Sequence, residues 1–408
     1  MLPHVAALRS RWLIRMALFL YDHLSTRSMI AGSRALVFAT DQSGKPLRKK
    51  FSHGFAYWDR WVDDSRLVIL NARAASDKGA DILTQTRFES AQVQDGLWRL
   101  NLKPGQADAS QQVTARAIVN AAGPWADKVL KASDTGQPSD GDNTRLRLIK
   151  GSHLVIPRIE GAHDAYILQQ DDGRVVFVIP YDDNYSMIGT TDVPIEGDPE
   201  KAAASEDEIH YLLAAVNRYM TTEIRETDIV WKFSGVRPLY DDDAESASKV
   251  TRDYHLALKT ENDSPPILSI FGGKITTYRC LAEEALEKLS PFFPAMGRSW
   301  TRKGFLPGGN LPGGTMKAFL DDLAKRYPKL DQGLIAQLAR RHGSIAADIL
   351  GDAYTMDDLG QFIAEDLYER EIDYFKRQEW GLRPKIFYGA EPRPVCILPR
   401  PTAKRRPR

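Results

Sequence analysis

The residues best suited to chemistry fall in four short segments. Gly272-Gly273-Lys274 stands between an apolar run at 267–271 and a helix-like pattern that opens with Thr276 and Thr277. Two glycines admit a flat or anionic ligand to the backbone with no Cβ in the way, and the helix N-terminus beyond them offers free N–H groups at the positive end of its dipole. Lys274 adds a full charge suited to phosphate. A tight structural turn has the same composition, and the residues alone do not separate the two. NAAGPW (120–125) presents a similar choice, since small residues around Gly123 permit either contact with a bound group or a packed strand-to-helix corner. His153, in KGSH (150–153), has the residue type of a general base near neutral pH; a lone histidine also serves as a structural hydrogen bonder. Arg237 in SGVRP (234–238) and Arg252 in TRDY (251–254) offer planar, bidentate recognition of carboxylate or phosphate. With Lys274 they would make an anion pocket, and singly they would make surface ion pairs. The two cysteines, Cys280 and Cys396, are far apart and lack CxxC spacing, so neither a disulfide framework nor a metal site is expected, and a reducing compartment is the default.

The elements that must hold these residues divide by pattern. ARAIVN (115–120) reads as a strand that breaks into a turn at 121–125 with a helix after it. Open α/β sheets bind ligands at such places, beyond the carboxyl end of a strand. A strand is expected at 97–102, and the apolar run 67–72 gives way to a helix stop near Gly79 and then a strand to residue 83. From about 145 to 260 the spacing becomes that of antiparallel strands. KGSH leads into a strand at 154–157, and RVVFVIP (174–180) and SMIGT (186–190) form a hairpin. An amphipathic helix at 205–220 carries Ile209, Leu212, Leu213 and Val216 on its apolar face. The strand at 267–271 then leads into a helix with Tyr278, Leu281, Ala285 and Leu289 on one side, and 316–379 is expected to be helical throughout. No repeat of fixed period occurs.

With 408 residues, 43% hydrophobic and 27% charged, the chain can form two or three domains with real cores and is not a disordered tail protein. A net charge of +1 conceals a split between a mildly acidic body and residues 381–408, which hold eight Lys/Arg, six Pro and one acid. There is no run of about 18 apolar residues that would span a bilayer. No signal peptide is expected, because the apolar run 12–21 is interrupted by Arg15 and lacks a small-residue cleavage site. The segment 8–24, with Arg9, Arg11 and Arg15 near one end, reads either as a buried helix or as one lying in a membrane interface with Trp12 at headgroup level.

In order and spacing, IVNAAGPWAD (118–127), LRLIKGSHLVIPR (146–158), AYILQQDDGRVVFVIPY (165–181), MIGTTDV (187–193), FSGVRPL (233–239), TRDY (251–254) and FGGKITTYR (271–279) resemble the FAD-dependent sn-glycerol 3-phosphate dehydrogenases. The resemblance runs over roughly residues 1–380. It implies a mixed α+β and α/β flavoprotein of the D-amino-acid-oxidase-like fold. A partial Rossmann-type FAD domain (61–139 and 263–300) would interleave with an antiparallel-sheet substrate domain (31–60 and 140–262). A basic, apolar helix (1–30) would precede them and a C-terminal helical domain (301–380) would follow. The implied reaction moves hydride from C2 of glycerol 3-phosphate to FAD, giving dihydroxyacetone phosphate, with electrons passed to quinone. The implied setting is the cytoplasmic face of a membrane, held peripherally, as a homodimer, with no nucleic-acid partner. Position by position, the resemblance implies that Arg237 orients the substrate, Lys274 sits beside its phosphate and Arg252 lies at the pocket rim. His153 would take the 2-hydroxyl proton, and Gly123, Gly272, Gly273 and Thr276 would meet the flavin.

The chain departs from that pattern at both ends. No Gly-x-Gly-x-x-Gly turn for the FAD pyrophosphate occurs, and Met1 falls well inside the family pattern, so an N-terminal truncation is expected. Past Trp380 the resemblance stops, and 381–408 reads as a disordered, basic, Pro-rich tail. Two further readings stand beside the dehydrogenase: a remnant without FAD that binds anions or membrane only, and an oxidase that passes electrons to oxygen.

Overall fold

The computed structural model describes residues 1–5, 8, 10–24, 31–105, 109–133, 146–181, 184–240, 253–260, 264–364 and 366–381. Its largest sheet has six strands and is built on Leu146–Pro157. Trp231–Tyr240 pairs antiparallel along nearly the whole of that strand, from Trp231 opposite Val155 to Tyr240 opposite Leu146. On the other side Tyr185–Gly189 pairs with it, followed outward by Val175–Tyr181 and Tyr166–Gln169, and Val193–Pro194 meets it at Lys150 and Ile149. Side chains alternate between the two faces. Leu154, Ile156, Leu168, Val176, Val178 and Ile188 face the helix Glu206–Asn217 and join Ile209, Leu212 and Val216 in the largest core. That helix starts where it does because Ser205 caps it and three acidic residues, Glu206, Asp207 and Glu208, occupy its first turn. Burying side chains such as Leu212 and Val216 stabilises the pair of layers by about 1.5–3 kcal/mol each.

A second sheet has three strands, with Ile267–Gly272 in the middle. It runs antiparallel to Tyr254–Lys259 and parallel to Ile118–Asn120, Ile267 lying opposite Ile118. Each parallel strand is followed by a short 3-10 turn, Gly123–Trp125 or Ile275–Thr277, and then by a helix, Ala126–Ala132 or Tyr278–Leu289. Ala285 and Leu289 of the second helix pack on Leu256 and Leu268. A three-stranded meander, Thr86–Gln94, Leu97–Pro104 and Gln111–Ala115, leans on this sheet through Trp98, whose Nε1–H donates to the Pro266 carbonyl at 3.1 Å. The helix Arg11–His23 packs Ile14 and Leu18 against Phe55 of a small sheet and leaves Trp12, Leu13, Met16, Phe19 and Leu20 exposed. Four helices, Met316–Arg326, Gln332–His342, Ala346–Leu350 and Glu369–Gln378, form the C-terminal unit. A buried ion pair from Arg66 to Glu379 ties it to the helix Asp64–Ser76.

Several sequence expectations need correction. KGSH does not precede its strand but lies in the middle of it, because strands on both sides supply hydrogen bonds to a stretch of weak strand propensity. No strand forms at 80–83; the helix ends at Ser76, Gly79 takes a positive φ of 93°, and the strand begins only at Thr86. The strand at 115–120 is cut to Ile118–Asn120. Residues 316–379 are not helical throughout, since Phe362–Ala364 and Leu367–Tyr368 pair as a hairpin before the last helix. The helix at 8–24 is neither wholly buried nor free, with one stripe packed and the rest exposed. Arg252, Arg9, Cys396 and residues 382–408 lie outside the described residues.

Candidate functional site

The face of the six-stranded sheet turned away from the Glu206–Asn217 helix carries Gly151 and His153 on one strand, Phe233, Gly235 and Arg237 on the next, and Gly189 on the third. Residues two apart on a strand share a face, so the pairing registers bring these six together. The His153 ring stacks on Phe233 with centroids 4.9 Å apart and planes 10° from parallel, and Phe233 stacks in turn on Trp231 at 4.7 Å. On its other side the imidazole lies over Gly189, where a Cβ would overlap the ring. Burial pushes the His153 imidazole down and the nearby Arg237 charge pushes it further, to about 4, so the ring is neutral at ordinary pH. Its Nδ1 is buried and has no hydrogen-bond partner among the described residues. An orphaned ring nitrogen beside a cation is an arrangement suited to a polar ligand.

Arg237 reaches back along the sheet over Gly151. A Cβ at Gly151 would stand 2.5 Å from Arg237 Nη2 and 2.5 Å from Thr190 Oγ1. The guanidinium is cradled by Thr190-Thr191-Asp192: Nη1–H donates to Asp192 Oδ1 at 2.6 Å, and Nη2–H donates to Thr190 Oγ1 at 3.3 Å and to the Thr191 carbonyl at 3.2 Å. Of its five N–H donors, Nε–H and one Nη1–H are left for an anion among the described residues. Opposite Gly151 lies Gly235, where a Cβ would meet nothing within 4 Å. The floor between the imidazole and the guanidinium is therefore bare backbone.

The second half of the site lies at the carboxyl ends of the parallel strands. Gly272 and Gly273 adopt φ of 73° and 106°, and Gly123 adopts 55°. Gly272 is needed for the turn itself, since a Cβ would come 2.7 Å from the Asp253 carbonyl oxygen; Gly123 opens onto free space. Among the described residues no side chain caps the 3-10 turn Ile275–Thr277, and since Thr277 and Tyr278 donate to the Lys274 and Ile275 carbonyls, the N–H groups left at this end of the sheet are those of Ile275 and Thr276. Thr276 is exposed in the 3-10 turn before it. The Trp231–Tyr240 strand packs against Ile267–Gly272 and against the turn at Gly123–Trp125, which joins the two halves. Lys274 is turned to Asp253 at 3.2 Å rather than to the Arg237 cradle.

The sequence reading missed the cradle of Thr190, Thr191 and Asp192, the glycine floor of Gly151, Gly189 and Gly235, and the ring ladder of Trp231 and Phe233. A lone glycine in each of three strands, as at Gly151 two residues before His153, was the available signal, because interior strand glycines mark close approach by another group.

A model of the family described as FAD dependent oxidoreductase matches residues 22–279. The aerobic glycerol-3-phosphate dehydrogenase of Escherichia coli is 44% identical over 384 residues, which are 94% of this chain and 75% of that protein. The D-erythritol 1-phosphate dehydrogenase of Brucella abortus is 40% identical over 380 residues, 93% of this chain and 75% of that one. Among solved structures, the glycerol-3-phosphate dehydrogenase of Bacillus halodurans complexed with FAD aligns with a TM-score of 0.71 and 26% identity over 85% of this chain and 68% of its own.

Proposed function

The chain belongs to the family of FAD-dependent oxidoreductases, alongside glycerol-3-phosphate dehydrogenases, and from that premise we propose that it oxidises the C2 hydroxyl of sn-glycerol 3-phosphate to dihydroxyacetone phosphate. The observation that carries the proposal is the pairing, on one glycine floor, of a neutral His153 with an Arg237 that keeps two N–H donors for an anion. A phosphate monoester needs a cation, and oxidation at a carbinol carbon needs a base for its hydroxyl proton. In this reading Arg237 binds and orients the substrate through its phosphate. His153, held upright between Phe233 and Gly189, accepts the hydroxyl proton on its imidazole. Lys274, beside Asp253, adds positive charge at the rim. The two-electron acceptor is FAD, which supplies hydride acceptance when bound. The residues present fit its ring end: Gly123 opens onto free space, Gly272 and Gly273 leave the strand end without side chains, and the uncapped turn at Thr276 offers backbone N–H groups. Onward transfer of electrons to quinone completes the proposed cycle.

We further infer attachment at a membrane surface, on the cytoplasmic face. The support is the Arg11–His23 helix, which exposes Trp12, Leu13, Met16, Phe19 and Leu20 beside Arg11 and Arg15. No helix among the described residues is long and apolar enough to cross a bilayer.

The substrate reading is tested by dye reduction with the purified, FAD-loaded chain. Glycerol 3-phosphate should drive it, and glycerol, which lacks the anion, should not. Faster turnover of D-erythritol 1-phosphate would move the assignment to a four-carbon polyol phosphate, as the Brucella relative's name suggests. Peroxide formed in air without dye would point to an oxidase, and absence of bound flavin to a non-catalytic remnant.

A further inference from the structure

Beneath the Arg237 cradle, on the opposite face of the sheet, sits a buried carboxylate. Glu208 is 5% exposed, and its two oxygens bond to the central strand, to Thr191 in the segment between two strands and to its own helix cap. Its Oε1 accepts from Ser152 Oγ at 2.8 Å and from Thr191 Oγ1 at 2.7 Å. Its Oε2 accepts from Ser205 N at 2.9 Å and Ser205 Oγ at 3.0 Å and pairs with Lys150 Nζ at 2.8 Å. Burial alone would push this carboxyl up, but the bonds from Lys150, Ser205, Thr191 and Ser152 outweigh it and hold it at about 2, so the group stays ionised.

Two of these bonds do more than cap a helix. Thr191 Oγ1 also accepts the backbone N–H of Ser152 at 2.9 Å, so the Thr191 side chain is fixed between the central strand and Glu208. The same residue's carbonyl accepts from Arg237 Nη2, and its neighbours Thr190 and Asp192 take the other two bonds of the guanidinium. Ser152 Oγ also meets Ser234 Oγ at 2.8 Å, which ties the Arg237 strand to the same hub. A backbone segment whose one inward side chain is pinned by a buried, charge-assisted bond has little freedom to rotate its carbonyl away.

We propose that Glu208 is the positioning residue of the anion site, holding Thr190-Thr191-Asp192 in the arrangement that aims Arg237 over Gly151. This rests on the assignment of Arg237 to the substrate's phosphate. Ser205 supplies an internal control. Ser205→Ala removes the helix cap and the Oγ bond to Oε2, yet leaves Oε2 with the Ser205 N–H and Lys150 and Oε1 with Ser152 and Thr191.

The test uses the full chain and two readouts, titration with inorganic phosphate by calorimetry and the Nε–H nuclear magnetic resonance signal of Arg237. Glu208→Gln removes the charge and turns its amide NH2 either onto the Ser205 N–H and Lys150 donors or onto the Ser152 and Thr191 hydroxyls, which must then reverse from donors to acceptors; the near-isosteric Thr191→Val breaks the link at its other end should that first variant not fold. Both are expected to weaken phosphate binding about tenfold, the scale of one lost charge-assisted bond, and to broaden or shift the Arg237 signal. Ser205→Ala is expected to lower thermal stability while leaving affinity and signal unchanged. An unaltered Arg237 signal in both Glu208→Gln and Thr191→Val, or an equal effect from Ser205→Ala, overturns the positioning role. Unchanged phosphate affinity in Arg237→Ala instead overturns the substrate reading, and the resonance signal then decides the positioning role by itself.

Discussion

The guanidinium of Arg237 occupies the space that a Cβ at Gly151 would need, 2.5 Å from Nη2, although the two residues are not opposite each other in the sheet. Arg237 pairs with Ile149 and leans back one step of the face, toward His153. The cation and the imidazole therefore depend on glycines they do not bond.

Gly151→Ala should cost some stability as well as aim, because its Cβ meets Arg237 Nη2 and Thr190 Oγ1 at 2.5 Å and the Thr191 carbonyl oxygen at 3.2 Å. The displaced guanidinium should raise KM for glycerol 3-phosphate roughly tenfold or more, with kcat changed less. Steady-state kinetics beside a thermal melt separates the two effects.

At Gly189 the same substitution strikes the imidazole instead, since a Cβ there overlaps the His153 ring. Gly189→Ala and His153→Ala should both slow flavin reduction, by about 100-fold to 10,000-fold, the usual span for loss of a general base. Phosphate affinity should stay near that of the unaltered chain.

Protonation of His153 gives a third check. With its pKa pushed down to about 4 from 6.5, the ring should titrate near pH 4 in the folded protein, visible in its nitrogen resonances. Unfolded chain takes up this proton near 6.5 and folded chain does not, so the group's contribution to stability is full above 6.5 and is lost as pH falls toward 4. His153→Phe, which can keep the stack on Phe233, should flatten that slope. Arg237→Ala removes one of the two depressing influences and should move the titration upward.

Much of this site was legible because its residues sit in compact strings. FGGK gave the strand end, SGVRP gave Arg237 and KGSH gave His153, and the helix capped by Ser205 was plain from its 3.6-residue apolar spacing. The partnership of Arg237 with Asp192 was not legible, because it depends on the register of strands 45 residues apart. KGSH looked like a strand boundary because Lys150, Gly151 and Ser152 break the apolar alternation; the reasons for those residues lie on neighbouring elements, in the Arg237 head over Gly151 and in Glu208 beneath Lys150 and Ser152. The hairpin at 362–368 was lost in a helical stretch because its strands are too short to show a period of two.

Membrane attachment predicts that replacing Trp12 and Phe19 together by Glu abolishes sedimentation with anionic lipid vesicles and leaves dye reduction by soluble protein intact. Both side chains are exposed and remote from the Ile14 and Leu18 packing stripe, so the fold should tolerate the change.

The central claim is that Arg237 and a neutral His153 present glycerol 3-phosphate for oxidation by FAD. Rapid mixing of the FAD-loaded chain with glycerol 3-phosphate under anaerobic conditions tests it most directly. The account predicts full bleaching of the oxidised flavin spectrum at a rate that saturates with substrate, a much higher half-saturating concentration in Arg237→Ala and a much lower limiting rate in His153→Ala. Flavin that stays oxidised, or that is reduced equally well in both variants, would contradict it.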